Sequence, residues 1–231
     1  MLKLLKNMER DANAKANSIG LKPNMETMNV NKNNNSNNHK LYYLFTDGSE
    51  IKDKKTYKTL SVGWGFVFKE KVENNTLNTL YKNNGIIYDN KLANNQRAEL
   101  VAILEGLNMV SPYLMEKRNI GDNNINNELI IYTDSEYSMK CITTWSRNWE
   151  RNGWINSKNK PVKHQDVIKE ILFIYRELSR KLKTNISIHH IKSHTTRTDM
   201  ISRGNAEADE MATNASRNAL FRLKNTNTQN K

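Results

Sequence analysis

Apolar positions in this chain fall into short runs bounded by polar turns, which mark strands, and longer periodic stretches, which mark helices. Leu41–Thr46 (LYYLFT) is an apolar, aromatic run of strand length, ended by Asp47-Gly48-Ser49. Ser61–Lys69 and Thr79–Tyr88 predict two further strands joined by polar links. Gln96–Val110 predicts a helix, nearly all apolar from Ala98 to Leu104 apart from Glu99, with Pro112 placed to stop it. Leu129–Thr133 (LIIYT) is a continuous apolar run, the pattern of a strand buried on both faces. Helical character from Glu136 breaks around Gly153 and Pro161, and a long helix over His164–Lys183 leads to a short strand at Ile186–Ile191. A last helix over Asn205–Leu220 completes an α/β domain with a mixed sheet.

The polar remainder sets the domain limits. Residues 1–40 culminate in the low-complexity stretch Asn29–His39 (NVNKNNNSNNH), which has nothing to bury and is expected to be a disordered leader. One catalytic-sized domain over 41–220 and a polar tail over 221–231 account for the rest of the 231 residues. No run of about 18 apolar residues exists, so a membrane-spanning helix and a membrane partner are not expected. The single cysteine, Cys141, excludes an internal disulfide and a cysteine zinc cluster, and suits an intracellular setting in cytoplasm or nucleus. The basic, mildly amphipathic start MLKLLKNMER is compatible with a mitochondrial transit peptide, against which Glu9, Asp11 and Glu26 count. A net charge of +12 implies contact with a polyanion or an anionic surface without saying which. A monomer is the default expectation.

One local feature occurs twice. Thr46-Asp47-Gly48-Ser49 closes the first strand and Thr133-Asp134-Ser135 closes the later one. If these strands are parallel neighbours joined by a right-handed crossover through the 96–110 helix, both aspartates emerge at one sheet edge. Either one alone is an ordinary turn residue; the matched pair is what points to a site. Glu99 stands in a helix with little wet surface, where a carboxylate is costly unless it is paired or holds a metal, or else it faces a solvent stripe. Asp209, with Ala206 and Ala212 as neighbours, is a poor helix-interior residue on a small apolar side. Four carboxylates converging would raise one another's pKa values and favour hard, oxygen-seeking cations, Mg²⁺ or Mn²⁺ over zinc. Two such ions about 4 Å apart suit in-line phosphodiester hydrolysis.

These residues also carry a resemblance. FTDGS (45–49), NQRAEL (95–100), YTDSEY (132–137), ITTWSRNWERNGW (142–154), KPVKHQD (160–166), IKSH (191–194) and GNAEADEMA (204–212) resemble type 1 ribonuclease H, in that family's order and spacing, over roughly residues 41–219. The resemblance implies the ribonuclease H-like fold, a five-stranded mixed sheet with three antiparallel strands followed by two parallel ones, flanked by helices. It makes Asp47, Glu99, Asp134 and Asp209 the metal-binding acids for two Mg²⁺ ions, with Mn²⁺ able to substitute. It places His194 at the loop histidine that assists proton transfer or product departure, although His189 and His190 stand close by in sequence and any of the three could be a surface residue. Asn95 and Gln96 fall where the family recognises RNA; amides suit a 2′-hydroxyl and base edges in a shallow minor groove, and Asn also caps helices well. Trp145, Trp149, Trp154 and Lys163, among Arg147, Arg151, Lys158 and Lys160, resemble the basic protrusion that grips the DNA strand, with at least one tryptophan expected to face the core.

The implied partner is an RNA·DNA hybrid, and the implied activity is endonucleolytic hydrolysis of its RNA strand, giving 3′-hydroxyl and 5′-phosphate ends. The alternatives are a DNA-directed nuclease of the same fold and a non-catalytic hybrid-binding module. The chain departs from many family members at Glu50–Leu60, which is charged where they carry a glycine-rich loop.

Overall fold

The computed structural model describes residues 40–72, 76–88, 92–119, 127–182, 185–192 and 199–229; the Asn-rich leader lies outside them. Strands β1 (Lys40–Lys52), β2 (Thr59–Lys71) and β3 (Leu77–Ile86) are followed by helix α1 (Asn95–Asn119) and strand β4 (Asn127–Thr133). Helix α2 (Glu136–Lys140) runs through a π-helical turn (Cys141–Trp145) into α3 (Ser146–Arg151). Helix α4 (Gln165–Leu182), strand β5 (Asn185–His190) and helix α5 (Met200–Gln229) complete the order.

The five strands form one sheet in the order β3-β2-β1-β4-β5. β1 pairs antiparallel with β2, and β2 with β3, whereas β1–β4 and β4–β5 are parallel. The expected mixed sheet, with β1 and β4 as parallel neighbours, is therefore present. Alternation along the strands divides the core in two. Tyr42, Leu44, Phe66, Phe68, Leu129 and Ile131 face α1 and α4, where Leu100, Ile103, Leu107, Ile168 and Ile171 meet them. Tyr43, Phe45 and Val67 face the other way, against Ala208, Ile201 and Met211 of α5.

Four expectations need correction. β1 does not end at Asp47-Gly48-Ser49 but continues to Lys52, because β2 remains paired with it through that segment. β4 is not buried on both faces: Leu129, Ile131 and Thr133 are buried while Ile130 and Tyr132 are half-buried, since α5 lies across β1, β2 and β3. Pro112 does not stop α1, which continues to Asn119. A proline inside a helix costs about 3 kcal/mol, but fully buried Val110 and Leu114 flank it and the packing they gain keeps the helix going. The last helix begins at Met200, well before Asn205, because Asp199 caps it, its Oδ1 accepting from the backbone N–H of Ile201 and Ser202 at 3.0 and 2.9 Å; it then runs past Leu220 to Gln229.

Candidate active site

The parallel pairing of β1 with β4 ends at the rung Thr46↔Thr133. Asp47 and Asp134 are the next residue on each chain segment. β4 stops there and β1 does not, so both side chains stand at the point where the sheet opens. β1 and α1 approach very closely beside them: a Cβ on Gly48 would lie 2.5 Å from the Glu99 backbone nitrogen. Only glycine allows that contact, and it sets Glu99 next to Asp47. On the opposite face, a Cβ on Gly65, the rung partner of Asp47, would lie 2.5 Å from the Ala212 nitrogen and 2.8 Å from the Ala208 carbonyl oxygen of α5. That approach brings Asp209, the residue after Ala208, towards Asp47.

The result is an acidic cluster. One carboxylate oxygen each from Asp47, Glu99 and Asp134 lie within 4.8 Å of one another. Asp47 is 5% exposed and Glu99 4%, and Asp134 is half-buried. Burial, then the charges of Asp134 and Asp209, push the Asp47 carboxyl up to about 8, against a hydrogen bond from Gly48 that works the other way. Burial and the charges of Asp47 and Asp134 hold Glu99 well above the usual carboxylate range. Asp209 acts on Asp47 through its charge but stands outside the mutual reach of the other three; its Oδ1 accepts from Thr213 Oγ1 at 3.4 Å.

Glu99 decides whether these residues suit a cation. Its Oε1 accepts from Asn95 Nδ2 at 3.3 Å, but its Oε2 is buried with no hydrogen-bond partner. A buried carboxylate oxygen without a partner, on a side chain that stands beside two further carboxylates, is costly. A hard divalent ion held by these acids would offset that cost.

The elements around the cluster place the other expected residues. Asn95 and Gln96 are exposed at the start of α1. Neither is the cap: Asn94 Oδ1 accepts from the Arg97 N–H at 2.9 Å and the Asn94 carbonyl accepts from Ala98, so the side chains of Asn95, which donates to Glu99, and Gln96 are not spent on capping. Glu50, a residue with no obvious signal in the sequence, holds this corner. Its Oε2 accepts from the Asn95 N–H at 3.1 Å and its Oε1 from Thr59 Oγ1 at 2.5 Å. His190 is exposed, as a surface residue would be, and its Nε2 lies 3.0 Å from the Asp134 carbonyl oxygen, a contact that holds the backbone there. His194 lies outside the described residues.

Trp145, Trp149 and Trp154 form a continuous aromatic series, with ring centroids 5.7 and 6.1 Å apart, begun by Tyr137 and ended by the Lys169 ammonium over Trp154. All three are half-buried and packed against the core, where at least one is expected from the sequence. Arg147, Arg151, Lys158, Lys160 and Lys163 are exposed around them. A bidentate pair, Arg97 to Asp166 at 3.0 and 2.6 Å, ties this basic region to the start of α1.

Comparison with known proteins settles the family. The model of the RNase H family matches residues 39–217. The chain belongs to the RNase H family. It is similar to ribonuclease HI of Rickettsia conorii, with 35% identity over 130 residues, 56% of this chain and 70% of that protein. It is also similar to a probable ribonuclease H of Acanthamoeba polyphaga mimivirus, 32% identical over 132 residues, where the match spans 57% of this chain and 52% of the relative. Among solved structures it resembles the PFV RNase H domain, with a TM-score of 0.52 and 27% identity over 77% of this chain and 93% of that one. The type 1 resemblance of the motifs stands, and with it the RNase H fold and a metal-dependent endoribonuclease activity.

Proposed function

We propose that this chain is an RNA·DNA hybrid-specific endonuclease that hydrolyses the RNA strand with two divalent cations, giving 3′-hydroxyl and 5′-phosphate ends. The acid cluster with its unpaired Glu99 Oε2 carries the reading, within a chain of the RNase H family. Asp47, Glu99 and Asp134, with Asp209 beside Asp47, are the residues that hold the ions. Mg²⁺ is the expected metal, and Mn²⁺ fits the same oxygen donors. Metal held by these residues would supply activation of the attacking water and neutralisation of charge on the leaving oxygen.

The protein's own groups do the rest. Asn95 and Gln96 contact the 2′-hydroxyls and base edges of the RNA strand, from a corner fixed by Glu50. Asn95 also donates to Glu99, so the residue that reads RNA touches the residue that holds metal. Lys163 and its basic neighbours take phosphates of the DNA strand, and Trp145, Trp149 and Trp154 give that surface a rigid aromatic base. His194 assists proton transfer or product departure. The enzyme works as a monomer.

The test is cleavage of four end-labelled duplexes of one sequence (RNA·DNA, DNA·DNA, RNA·RNA, and DNA·DNA with a single ribonucleotide), each with Mg²⁺ and with EDTA. Internal cuts confined to the RNA of the hybrid, and abolished by EDTA, are expected. Cutting of DNA·DNA would instead assign a DNA-directed nuclease, and hybrid binding without cutting a non-catalytic module.

A further inference from the structure

The segment joining β1 to β2, where the sequence departs from many family members, is a compact and strongly basic hairpin. Its tip, Asp53–Lys58, is closed by its own hydrogen bonds. The Asp53 N–H donates to the Lys58 carbonyl at 2.8 Å, and the Tyr57 N–H to the Asp53 carbonyl at 2.9 Å. Asp53 Oδ1 accepts from the N–H of Lys55 and Thr56 and from Thr56 Oγ1 at 3.0, 2.7 and 2.9 Å. The one acid of the tip is thus consumed by the turn. Lys54, Lys55 and Lys58 are exposed, and none forms an ion pair with another described residue.

Tyr57 is the odd residue. Its φ of 55° lies in the left-handed region, where glycine or asparagine would sit without strain, and the residue is 78% exposed. A strained backbone is ordinarily offset by packing of the side chain it aims; here the residue is mostly open to solvent. The hairpin is also joined to the RNA-reading corner. Glu50 accepts from Thr59 Oγ1 at the foot of the hairpin and from the Asn95 N–H at the start of α1, and pairs with Lys52 Nζ at 3.3 Å. Its side chain is only 7% exposed, and it ties the two elements together although Thr59 and Asn95 themselves are exposed.

We infer that this hairpin is a second grip on the hybrid: Lys54, Lys55 and Lys58 contact backbone phosphates beyond the nucleotides read by Asn95 and Gln96, and Tyr57 lies against an adjoining sugar or base. Charge complementarity and continuity with the α1 corner name the occupant, a duplex carrying phosphate on its surface. An exposed aromatic ring held out by a tight turn suits stacking against a nucleotide. The grip lies on elements distinct from the protrusion, which follows β4, and it rests on the hybrid being the substrate.

The experiment is fluorescence anisotropy of a labelled RNA·DNA hybrid with the full chain in EDTA over a KCl series. It compares wild type with the triple variant Lys54→Ala/Lys55→Ala/Lys58→Ala and with Tyr57→Gly. The triple variant should bind several-fold more weakly, and its slope of log affinity against log salt should be shallower by about 0.9 for each phosphate the lysines no longer neutralise. Tyr57→Gly should weaken binding while melting no lower than wild type, since glycine relieves the left-handed backbone. Wild-type affinities and slopes in both variants would overturn the grip and leave the hairpin a solvated turn. Tyr57→Gly melting well below wild type would show that the ring has a structural role instead. Hybrid cleavage by wild type in Mg²⁺ reports separately on the substrate: its absence would sink the hybrid-hydrolase reading, while the variants' anisotropy still decides whether the hairpin holds nucleic acid.

Discussion

Asp47→Asn should stabilise the metal-free protein at alkaline pH while it destroys the active site. The Asp47 carboxyl sits at about 8 in the folded chain against 3.8 when free, raised by burial and by the charges of Asp134 and Asp209. The folded state therefore keeps a proton that the unfolded chain releases between about pH 4 and 8. Stability falls as pH rises through that window and is not penalised below it. At about 1.4 kcal/mol per pKa unit, the step from 3.8 to about 8 sets an upper bound of roughly 5–6 kcal/mol. Asp47 and Glu99 are coupled through their charges, so the gain from neutralising one member is a fraction of that total, on the order of 2 kcal/mol. For a domain of this size that amounts to about 4–8 °C in Tm. Circular-dichroism melts in EDTA at pH 5 and pH 8 read it directly. Asp47→Asn should melt above wild type at pH 8 and close to it at pH 5. Adding Mg²⁺ should raise the wild-type Tm and leave the variant almost unmoved, because ligand binding stabilises only a chain that has the site. A variant melting at or below wild type at pH 8 in EDTA would refute the claim that these acids are held together against their own repulsion.

Two further substitutions probe how the fold builds the site. Gly48→Ala places a methyl 2.5 Å from the Glu99 nitrogen, so α1 must move away from β1; a loss of about 1–3 kcal/mol by denaturant unfolding is expected, with weaker Mg²⁺ dependence of cleavage. Glu50→Ala removes the acceptor that holds the Asn95 N–H, and should raise KM for the hybrid several-fold with kcat nearly unchanged; Glu50→Gln, which keeps an acceptor oxygen, should recover most of that deficit in steady-state kinetics.

The acids are legible in the sequence because an Asp follows an apolar strand twice, in a matched pair, while a Glu within an apolar helix face and an Asp in a helix interior each break a local rule. What brings them together is not local. Asp47 lies within β1, and it reaches the sheet opening only because its parallel partner β4 ends one rung earlier, a property of pairing between distant segments. Gly48 and Gly65 look like turn and strand glycines, whereas their value is the close approach of α1 and α5. Pro112 carries a correct local signal that burial of Val110 and Leu114 overrides. The β4 run suggests two covered faces, but a hydrophobic strand cannot report which helix will cross it. Glu50 has no signal at all, because its partners lie nine and forty-five residues away in sequence. The Asn-rich corner shows that an amide stands at the start of α1, but only the hydrogen bonds assign the cap to Asn94 and direct the Asn95 amide to Glu99.

The most direct measurement of the central claim is RNA cleavage and hybrid binding by Asp134→Asn beside wild type, over a Mg²⁺ titration. A two-carboxylate remnant of the buried cluster should bind the hybrid with near wild-type affinity through its basic and amide contacts, yet cleave it at no Mg²⁺ concentration. Comparable turnover by the two proteins would contradict the assignment of Asp47, Glu99 and Asp134 as the acids that hold the catalytic metal.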